Sequence, residues 1–353
     1  MNDSRIPIAL IGLGWVGVHR HARAIQRSRD FKLVGVADRS FDRAAHIGRE
    51  LGTSNWARAE TLDNIPWISE AVAVTIATPP ATHRNIAVEA LAREMHVLTE
   101  KPFAISTDEG IEMASLANSV GRTLAVVHNF QFSRSARRLE QDLNTGELGK
   151  IQRIHAMQLS NPRRRLPKWY PSLRGGLFFD ESPHLLYLMR RFSGGPLRLE
   201  SVMMVRQHGR ETTPALVQAT YWPEIGDARF PVTLDMQFTS SISEWHFMVV
   251  GDRATGVVDL FRDIYIRLPN DGLHTTSTVF RTSWLASWQH WSQHLTSGVS
   301  HLLGKLDYGN DEVYRRFASA IRLREPPPDL DATSGLEILQ MQHELMDKGG
   351  CNG

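Results

Sequence analysis

Three glycines near the amino terminus have the spacing of a phosphate-binding turn, and they are Gly12, Gly14 and Gly17. The apolar run 6–11 before them predicts a buried strand, and residues 18–29 after them predict a helix. In this setting the first glycine permits a tight turn, the second lets a pyrophosphate approach the backbone, and the third lets helix and strand lie close. The helix amino terminus then holds the anion. We therefore predict a dinucleotide site here, lined also by Trp15 and Val16.

An acid follows the next apolar run at the distance that such a site requires. Residues 31–37 are apolar and end on Asp38, roughly twenty residues after the last glycine, where a carboxylate holds ribose hydroxyls. A carboxylate there repels a 2′-phosphate, so we expect NAD as the cofactor, with NADP as the alternative. Arg39 complicates this preference, because a guanidinium can stack on adenine or accept that phosphate.

A carboxylate and an imidazole, Asp180 and His184, stand four residues apart. On a helix that starts near Asp180 both side chains lie on one face. A neighbouring carboxylate raises the pKa of an imidazole and fixes its orientation, so the pair suits acid–base chemistry. The alternative is a capping aspartate with a packed histidine. No third ligand stands at a supportive spacing, so we predict no metal site.

A dense basic cluster precedes this pair in a predicted loop, and it consists of Arg163, Arg164, Arg165 and Lys168 with Trp169. Such a cluster is commonly a solvated face. Guanidinium groups also clamp phosphate or carboxylate, and an indole can stack on a sugar ring or base. We therefore name Arg165 and Trp169 as substrate-binding candidates, a role that fits a nucleotide-sugar.

The elements that position these residues fall into two patterns. Strands and helices alternate up to residue 128, which predicts a doubly wound parallel sheet that binds ligands beyond the carboxyl ends of its strands. Asp38, Thr78 and Lys101 all fall at such ends. Beyond residue 150 β-type runs follow one another to 268, interrupted by one helix near 180–192, which predicts a mostly antiparallel sheet with helices on one face.

We therefore predict an α/β protein with two domains: a Rossmann domain at 1–128 and a substrate and oligomerisation domain at 129–353, whose final helix can pack back near the first domain. Three tryptophans, Trp284, Trp288 and Trp291, share one helical face. Such a face is more often core or subunit interface than a ligand site.

Composition excludes several classes of protein. The chain has 353 residues and a formal net charge of +2, which argues against a general nucleic-acid binder. Its apolar runs are too short to span a membrane, and its first residues show no basic leader, so we expect a cytoplasmic protein that does not engage membranes. Cys351 is the only cysteine, which excludes a disulfide framework and a thiolate metal cluster.

The sequence resembles the Gfo/Idh/MocA family of oxidoreductases over nearly its whole length. Thr78-Pro79-Pro80 with His83 is similar to the family's T-P-x-x-x-H segment, and Glu100-Lys101-Pro102 to its E-K-P signature. The segment 175–184 is similar to its G-G-G-x-x-x-D-x-G-x-H segment. The chain departs from the family at four positions: Leu177 replaces the third glycine, Ser182 stands where glycine is common, and Tyr187 and Leu188 stand where many members carry an acid.

The resemblance implies a Rossmann domain, a second domain with an open antiparallel sheet, NAD or NADP, and a sugar-like or cyclitol substrate. It also implies a homodimer or homotetramer that associates through the open face of that sheet. Carried over onto the matching positions, the expected cofactor contacts are Thr78, Pro79, His83, Glu100 and Lys101.

Hydride transfer at a secondary alcohol needs a group that exchanges the hydroxyl proton and a donor or cation that stabilises the oxygen. We expect His184 as the acid–base group, Asp180 to orient it or a substrate hydroxyl, and Lys101 to polarise the C–O bond. The prediction is an NAD(P)-dependent oxidoreductase acting on a secondary alcohol or ketone of a sugar, sugar derivative or cyclitol. Two alternatives stay open: a redox-assisted lyase or glycosidase that recycles its cofactor internally, and a non-catalytic cofactor-sensing regulator.

Overall fold

The computed structural model describes residues 4–206, 212–226 and 229–350, so Cys351 lies outside the described residues. The chain forms two compact units. The first comprises Met1–Asn129 with Asn310–His343, and the second comprises Phe130–Gly309 with Glu344–Gly353. Within the described ranges, no helix combines the length and apolar character needed to cross a bilayer.

The first unit is built on a six-stranded parallel sheet with the strand order β3-β2-β1-β4-β5-β6. Its strands are β1 Ile6–Ile11, β2 Phe31–Asp38, β3 Trp56–Arg58, β4 Ala73–Ile76, β5 His96–Thr99 and β6 Leu124–Val126. Its helices up to this point are α1 Arg23–Arg27, α2 Phe41–Glu50, α3 His83–Ala92 and α4 Thr107–Ser119. The predicted doubly wound parallel sheet is confirmed. The short edge strand β3 was not predicted, because three residues carry too little periodicity.

The central strands β1, β4 and β5 are buried because they are apolar on both faces, as strands covered by helices on both sides must be. They are neighbours in the sheet, and their carboxyl ends therefore lie side by side. Gly12 follows β1, Thr78 follows β4, and Glu100 with Lys101 follows β5. The sheet thus places three of the predicted segments along one edge.

The second unit contains a seven-stranded sheet with the order β13-β12-β11-β7-β10-β9-β8. Its strands are β7 Ile151–Leu159, β8 Leu197–Val205, β9 Leu216–Pro223, β10 Val232–Gln237, β11 Glu244–Gly251, β12 Ala254–Asp259 and β13 Ile264–Pro269. Its helices are α5 Arg134–Asn144, α6 Leu177–Phe192, α7 Thr276–Gln293 and α8 Val299–Leu302. The mostly antiparallel sheet is confirmed. The β7–β10 pair is parallel, because the intervening chain, which includes α6, provides a long crossover.

Residues 310–343 belong to the first unit, whereas the sequence-based division assigned everything after residue 128 to the second. The last two helices are α9 Asn310–Leu323 and α10 Ala332–Lys348. On α9, Tyr314 and Phe317 pack on Phe31 of β2, with ring centroids 5.6 and 5.8 Å apart. The apolar periodicity of α9 predicts a buried face but does not tell which sheet receives it.

Candidate functional site

The glycine turn has two tightly packed members and one open member. Gly12 has φ +94°, and a Cβ atom there would lie 2.6 Å from the Ala77 carbonyl. A Cβ atom on Gly17 would lie 2.0 Å from the Gly12 carbonyl oxygen. Gly14 has no atom within 4 Å of the corresponding position, so its backbone faces open space. The turn therefore has the shape of a cradle that another molecule's phosphates can enter.

The helix that follows the turn contains a π-helical turn, Gly17–Ala22, before it continues as α1. A single π turn is a local feature that is often found at functional sites. Trp15 and Val16 at the start of the helix are 44% and 38% exposed, which leaves both able to contact a ligand. His21, within the π turn, is fully buried.

Asp38 holds the glycine turn against the end of β2. Its carboxylate accepts hydrogen bonds from the main-chain N–H groups of Leu13, at 2.9 Å, and Ser40, at 2.8 Å. Arg43 Nη1 also donates to it at 3.1 Å. Arg39 is exposed. Sequence reasoning missed Arg43; its place in the first turn of α2, five residues after Asp38, was the available signal.

His83 connects the loop after β4 to the loop after β5. One ring nitrogen lies 2.9 Å from the Thr78 carbonyl and the other 2.9 Å from the Pro102 carbonyl. Burial lowers the pKa of His83, although both carbonyls and the charge of Glu100 oppose this effect. Because the ring is fully buried and both nitrogens face main-chain oxygens, His83 sets the spacing of the two loops. A direct cofactor contact by His83, Thr78 or Pro79 stays a prediction.

Glu100 is anchored by a buried chain of side chains that the sequence did not reveal. Its Oε1 lies 2.9 Å from His21 Nε2, His21 Nδ1 lies 2.9 Å from the Tyr314 hydroxyl, and that hydroxyl lies 3.0 Å from Thr75 Oγ1. Burial raises the pKa of Glu100, but the hydrogen bond from His21 and the charge of Lys101 outweigh it and lower the pKa overall. Glu100 is thus held as a carboxylate.

The same carboxylate reaches the residue that follows it. Its Oε2 accepts the Lys101 main-chain N–H at 3.0 Å, and the Lys101–Pro102 peptide bond is cis. A consistent hydrogen assignment runs from the Thr75 hydroxyl to Tyr314, from Tyr314 to His21 Nδ1, and from His21 Nε2–H to Glu100. His21 and Tyr314 therefore act on Lys101 through Glu100, and they position the main chain from which Lys101 projects.

In the second unit, His184 lies on α6 within an aromatic cluster. Its ring centroid is 4.7 Å from that of Phe130 and 5.4 Å from that of Trp245. Its Nδ1 lies 2.9 Å from the Tyr187 hydroxyl, which also accepts the Phe130 main-chain N–H at 3.0 Å. Tyr187, noted in the sequence only as a departure from the family pattern, is therefore a partner of His184. Their spacing of three residues on one helical face was the available signal.

Helix α6 begins early enough to carry both members of the predicted pair. Gly176, with φ 55°, precedes it, and the Thr213 hydroxyl accepts the Leu177 N–H at 3.0 Å. Asp180 and His184 therefore share a face of a continuous helix, and both are buried. That Asp180 orients His184 or a substrate hydroxyl stays a prediction.

The basic cluster is divided between an internal anchor and exposed side chains. Arg164 forms an ion pair with Glu181, a buried carboxylate on α6 that also binds Gln158. Arg163, Arg165 and Lys168 are exposed, and Trp169 is half-buried. Arg163 and Arg164 line an open cleft of about 500 Å³ together with Ser241 and Ser243. At least one of the three guanidinium groups is therefore already committed within the protein, and substrate binding by Arg165 and Trp169 stays a prediction.

One group of side chains in the described part of the chain has the spacing of a metal site. Ligand atoms of Glu244, His246 and Asp259 all lie within 4.8 Å of one another. Arg262 donates to Glu244 at 2.6 Å and to Asp259 at 2.5 Å, and it lowers the pKa of Glu244. A cation belonging to the chain itself thus neutralises these carboxylates.

Comparison with known proteins agrees with this geometry. The Gfo/Idh/MocA family model, described as an oxidoreductase family with an NAD-binding Rossmann fold, matches residues 6–128. A scyllo-inositol 2-dehydrogenase (NAD(+)) of Bacillus subtilis is 26% identical over 210 residues, which cover 59% of this chain and 58% of that protein. The NADP(+) enzyme IolU of the same organism is 30% identical over 200 residues, which cover 54% and 59%.

The likeness in structure covers more of the chain than these sequence matches do. The WlbA dehydrogenase from Bordetella pertussis, solved with NADH and UDP-GlcNAcA, superposes with a TM-score of 0.77 at 17% identity, covering 99% of this chain and 97% of that one. At that identity the likeness shows the fold alone. The chain spans only 58% of the inositol dehydrogenase and 32–47% of three further curated relatives. Residues 6–128 therefore match the NAD-binding Rossmann domain of the Gfo/Idh/MocA oxidoreductase family, and the chain as a whole shares the fold of the superposed dehydrogenase.

Proposed function

We propose that this protein is an NAD(P)-dependent oxidoreductase that transfers a hydride between nicotinamide and a secondary alcohol or ketone of a sugar, sugar derivative or cyclitol. The observation that carries the proposal is the shared edge of the parallel sheet. An open glycine cradle follows β1, and the anchored Lys101 follows β5, one strand beyond the neighbouring β4.

The residues of the first unit fit a dinucleotide. Gly14 leaves room for phosphates at a helix amino terminus, where main-chain N–H groups and the helix dipole favour anions. Asp38 stands where a carboxylate accepts ribose hydroxyls, and exposed Arg39 and Arg43 stand close to it in sequence or in space. We propose NAD as the preferred cofactor. Arg43, beside the Asp38 carboxylate, is a cation that can accept a 2′-phosphate, so NADP stays the alternative cofactor.

A nicotinamide bound at this site would supply hydride chemistry at the carbinol or carbonyl carbon of the substrate. We assign Lys101 to polarising the substrate oxygen with its positive charge, and His184 to exchanging the hydroxyl proton. The Tyr187 oxygen has two lone pairs and can accept from both Phe130 N–H and Nδ1–H of His184. That arrangement leaves a lone pair on Nε2 to take the proton. Asp180 is assigned to orienting the imidazole or a substrate hydroxyl.

The substrate class and the assembly rest on the relatives and on the open sheet face. Two of the relatives are scyllo-inositol dehydrogenases by name, and one solved structure of the same fold contains a nucleotide-sugar, which supports a polyol-type substrate here. The face of the second sheet opposite α6 carries half-buried residues such as Met157 and Met248. We propose that copies of the chain associate through this face.

The test is a screen of inositols, sugars and nucleotide-sugars with NAD and NADP, followed at the absorbance of reduced nicotinamide. On the true substrate, Lys101→Met and His184→Ala should each lower kcat by roughly a hundredfold or more, the scale of acid–base catalysis. His46→Ala, which removes an exposed imidazole of α2, is the matched control and should change nothing. Product formed without net reduced nicotinamide would instead indicate the internally recycled lyase. NADH binding without turnover of any compound would indicate a regulator.

A further inference from the structure

Helix α7 differs from an ordinary surface helix because its largest apolar side chains face solvent rather than the protein. Its most buried side chain is a glutamine, Gln293. The exposed residues are Phe280, Trp284, Trp288 and Trp291 of α7 and Leu295 of the π-helical turn His294–Gly298 that follows it, and they are 63–76% exposed. Their spacing of four, four, three and four residues places them on one face. We call this set the tryptophan stripe, and Leu302 of α8, 87% exposed, extends it.

The polar face of α7 is fixed to the sheet by two glutamines. Gln293 accepts the Tyr265 main-chain N–H at 2.9 Å and donates to its carbonyl at 2.6 Å. Gln289 does the same for Arg267, at 2.9 and 3.0 Å. Each side-chain amide thus replaces the main-chain partners that another strand would supply to β13. The orientation of α7 is therefore set by directional hydrogen bonds, and these hold the tryptophan stripe outward.

The stripe is large enough for a specific interface. An aromatic side chain offers about 150–250 Å² of surface, so the four aromatic residues alone expose roughly 400–700 Å². A standard interface buries about 800 Å² on each partner, and the largest apolar patch of a typical monomer is roughly 300–600 Å². With Leu295 and Leu302 added, the stripe approaches the area that a stable dimer needs.

The charge of the segment indicates which partner covers it. Residues 276–303 contain one charged residue, Arg281, although 22% of the whole chain is charged. A helix that lies on a membrane surface normally carries lysines and arginines on a solvated polar face. Here the polar face binds the protein's own sheet. In a twofold interface each residue near the axis meets its own copy, so a charge there repels itself, and an uncharged stripe is self-complementary.

We propose that the tryptophan stripe is an interface with a second copy of this chain, distinct from the sheet face named above. The proposal does not depend on the reaction or on the cofactor. If the sheet face also associates, two different twofold contacts produce a tetramer, and loss of either contact leaves a dimer.

The test compares the molar mass of the full chain by light scattering after size exclusion. The variant carries Trp284→Ser, Trp288→Ser and Trp291→Ser, and the matched control Leu323→Ser removes another exposed apolar side chain, 64% exposed, from α9. The expected result is that the triple variant has half the mass of the wild type and of the control. Circular dichroism and NADH binding by the first unit check that the variant is folded.

Two outcomes overturn the proposal: a folded triple variant with the wild-type mass, or a monomeric wild type. A wild type that sediments with neutral or anionic phospholipid vesicles through the stripe, without a change in mass between variants, assigns the stripe to a membrane instead. Should the triple variant fail to fold, acrylamide quenching of the wild type decides. Quenching of tryptophan fluorescence must rise on dilution below the dissociation constant, and quenching that is independent of concentration contradicts the interface.

Discussion

Tyr314 and Tyr221 allow the buried chain behind Lys101 to be tested by removing the same atom in two places. Both side chains are fully buried. The Tyr314 hydroxyl is bonded to His21 and Thr75, whereas the Tyr221 hydroxyl has no hydrogen-bond partner among the described residues. Burial raises the pKa of both phenols, so neither ionises near neutral pH. Replacement by phenylalanine therefore removes only a neutral hydroxyl in each case.

We expect only the first of the two substitutions to lower the free energy of unfolding. Tyr314→Phe leaves His21 Nδ1 and Thr75 Oγ1 buried without this partner, which costs about 1–3 kcal/mol of unfolding free energy. At about 2–4 °C per kcal/mol for a unit of this size, the melting temperature of the first unit should fall by about 2–12 °C. Tyr221→Phe removes a buried hydroxyl that already lacks a partner, so the free energy of unfolding should stay unchanged or rise by about 1 kcal/mol.

Differential scanning calorimetry with separate NADH titration measures both variants. Binding of NADH should survive Tyr314→Phe, because Tyr314 contacts His21 and Thr75 rather than the glycine turn. A Tyr314→Phe protein as stable as the wild type, or a Tyr221→Phe protein destabilised to the same extent, would refute the assignment of the hydroxyl as the link in this chain.

Four further outcomes follow from the geometry. Gly17→Ala should destabilise the apoprotein by about 3 kcal/mol in calorimetry through the clash with the Gly12 carbonyl. Gly14→Ala should leave the stability unchanged and weaken NADH binding at least about tenfold in titration calorimetry. Equal effects of the two variants on stability would contradict the open position of Gly14 in the turn. Asp38→Ala should weaken NAD binding and improve the relative use of NADP in steady-state kinetics, because it frees Arg43 for a 2′-phosphate. Adding Arg43→Ala to this variant should remove the gain. A wild type that binds NADP more tightly than NAD would contradict the assignment of NAD as the preferred cofactor. Arg164→Met should lower the free energy of unfolding by about 1–3 kcal/mol, because it leaves Glu181 buried without its cation, whereas Arg163→Ala should not change it. If Arg164→Met instead raises KM at unchanged stability, Arg164 is a substrate ligand. Burial, with a smaller contribution from Arg122, lowers the pKa of His96 from 6.5 to about 4, so the stability that the neutral imidazole contributes is complete above pH 6.5 and is lost as the pH falls toward 4. His96→Gln should therefore flatten the profile of melting temperature against pH between pH 6.5 and 4. An unchanged profile would argue against this role of His96.

The parts of the molecule that the sequence predicted are those with local signatures. The glycine turn, Asp38 and the strand-end position of Lys101 each follow from a short motif and from the alternation of strands and helices. His21 and Tyr314 could not be predicted as partners, because 293 residues separate them and only the packing of α9 joins them. Similarly, the tryptophan spacing showed that one face of α7 is apolar. That Gln289 and Gln293 bind β13, and so turn the tryptophans outward, depends on tertiary hydrogen bonds.

The π turn at Gly17–Ala22 separates two geometric requirements that a uniform helix would link. A helix with i→i+5 hydrogen bonds holds one residue more in its turn than an α-helix does. Since each α-helical residue advances by about 100°, the extra residue shifts the rotational phase of everything after it by that angle. The start of the helix can therefore point its N–H groups along one direction, while His21 turns toward Glu100 along another. In this chain, helical phase allows one short helix to meet both the glycine cradle and the anchor of Lys101.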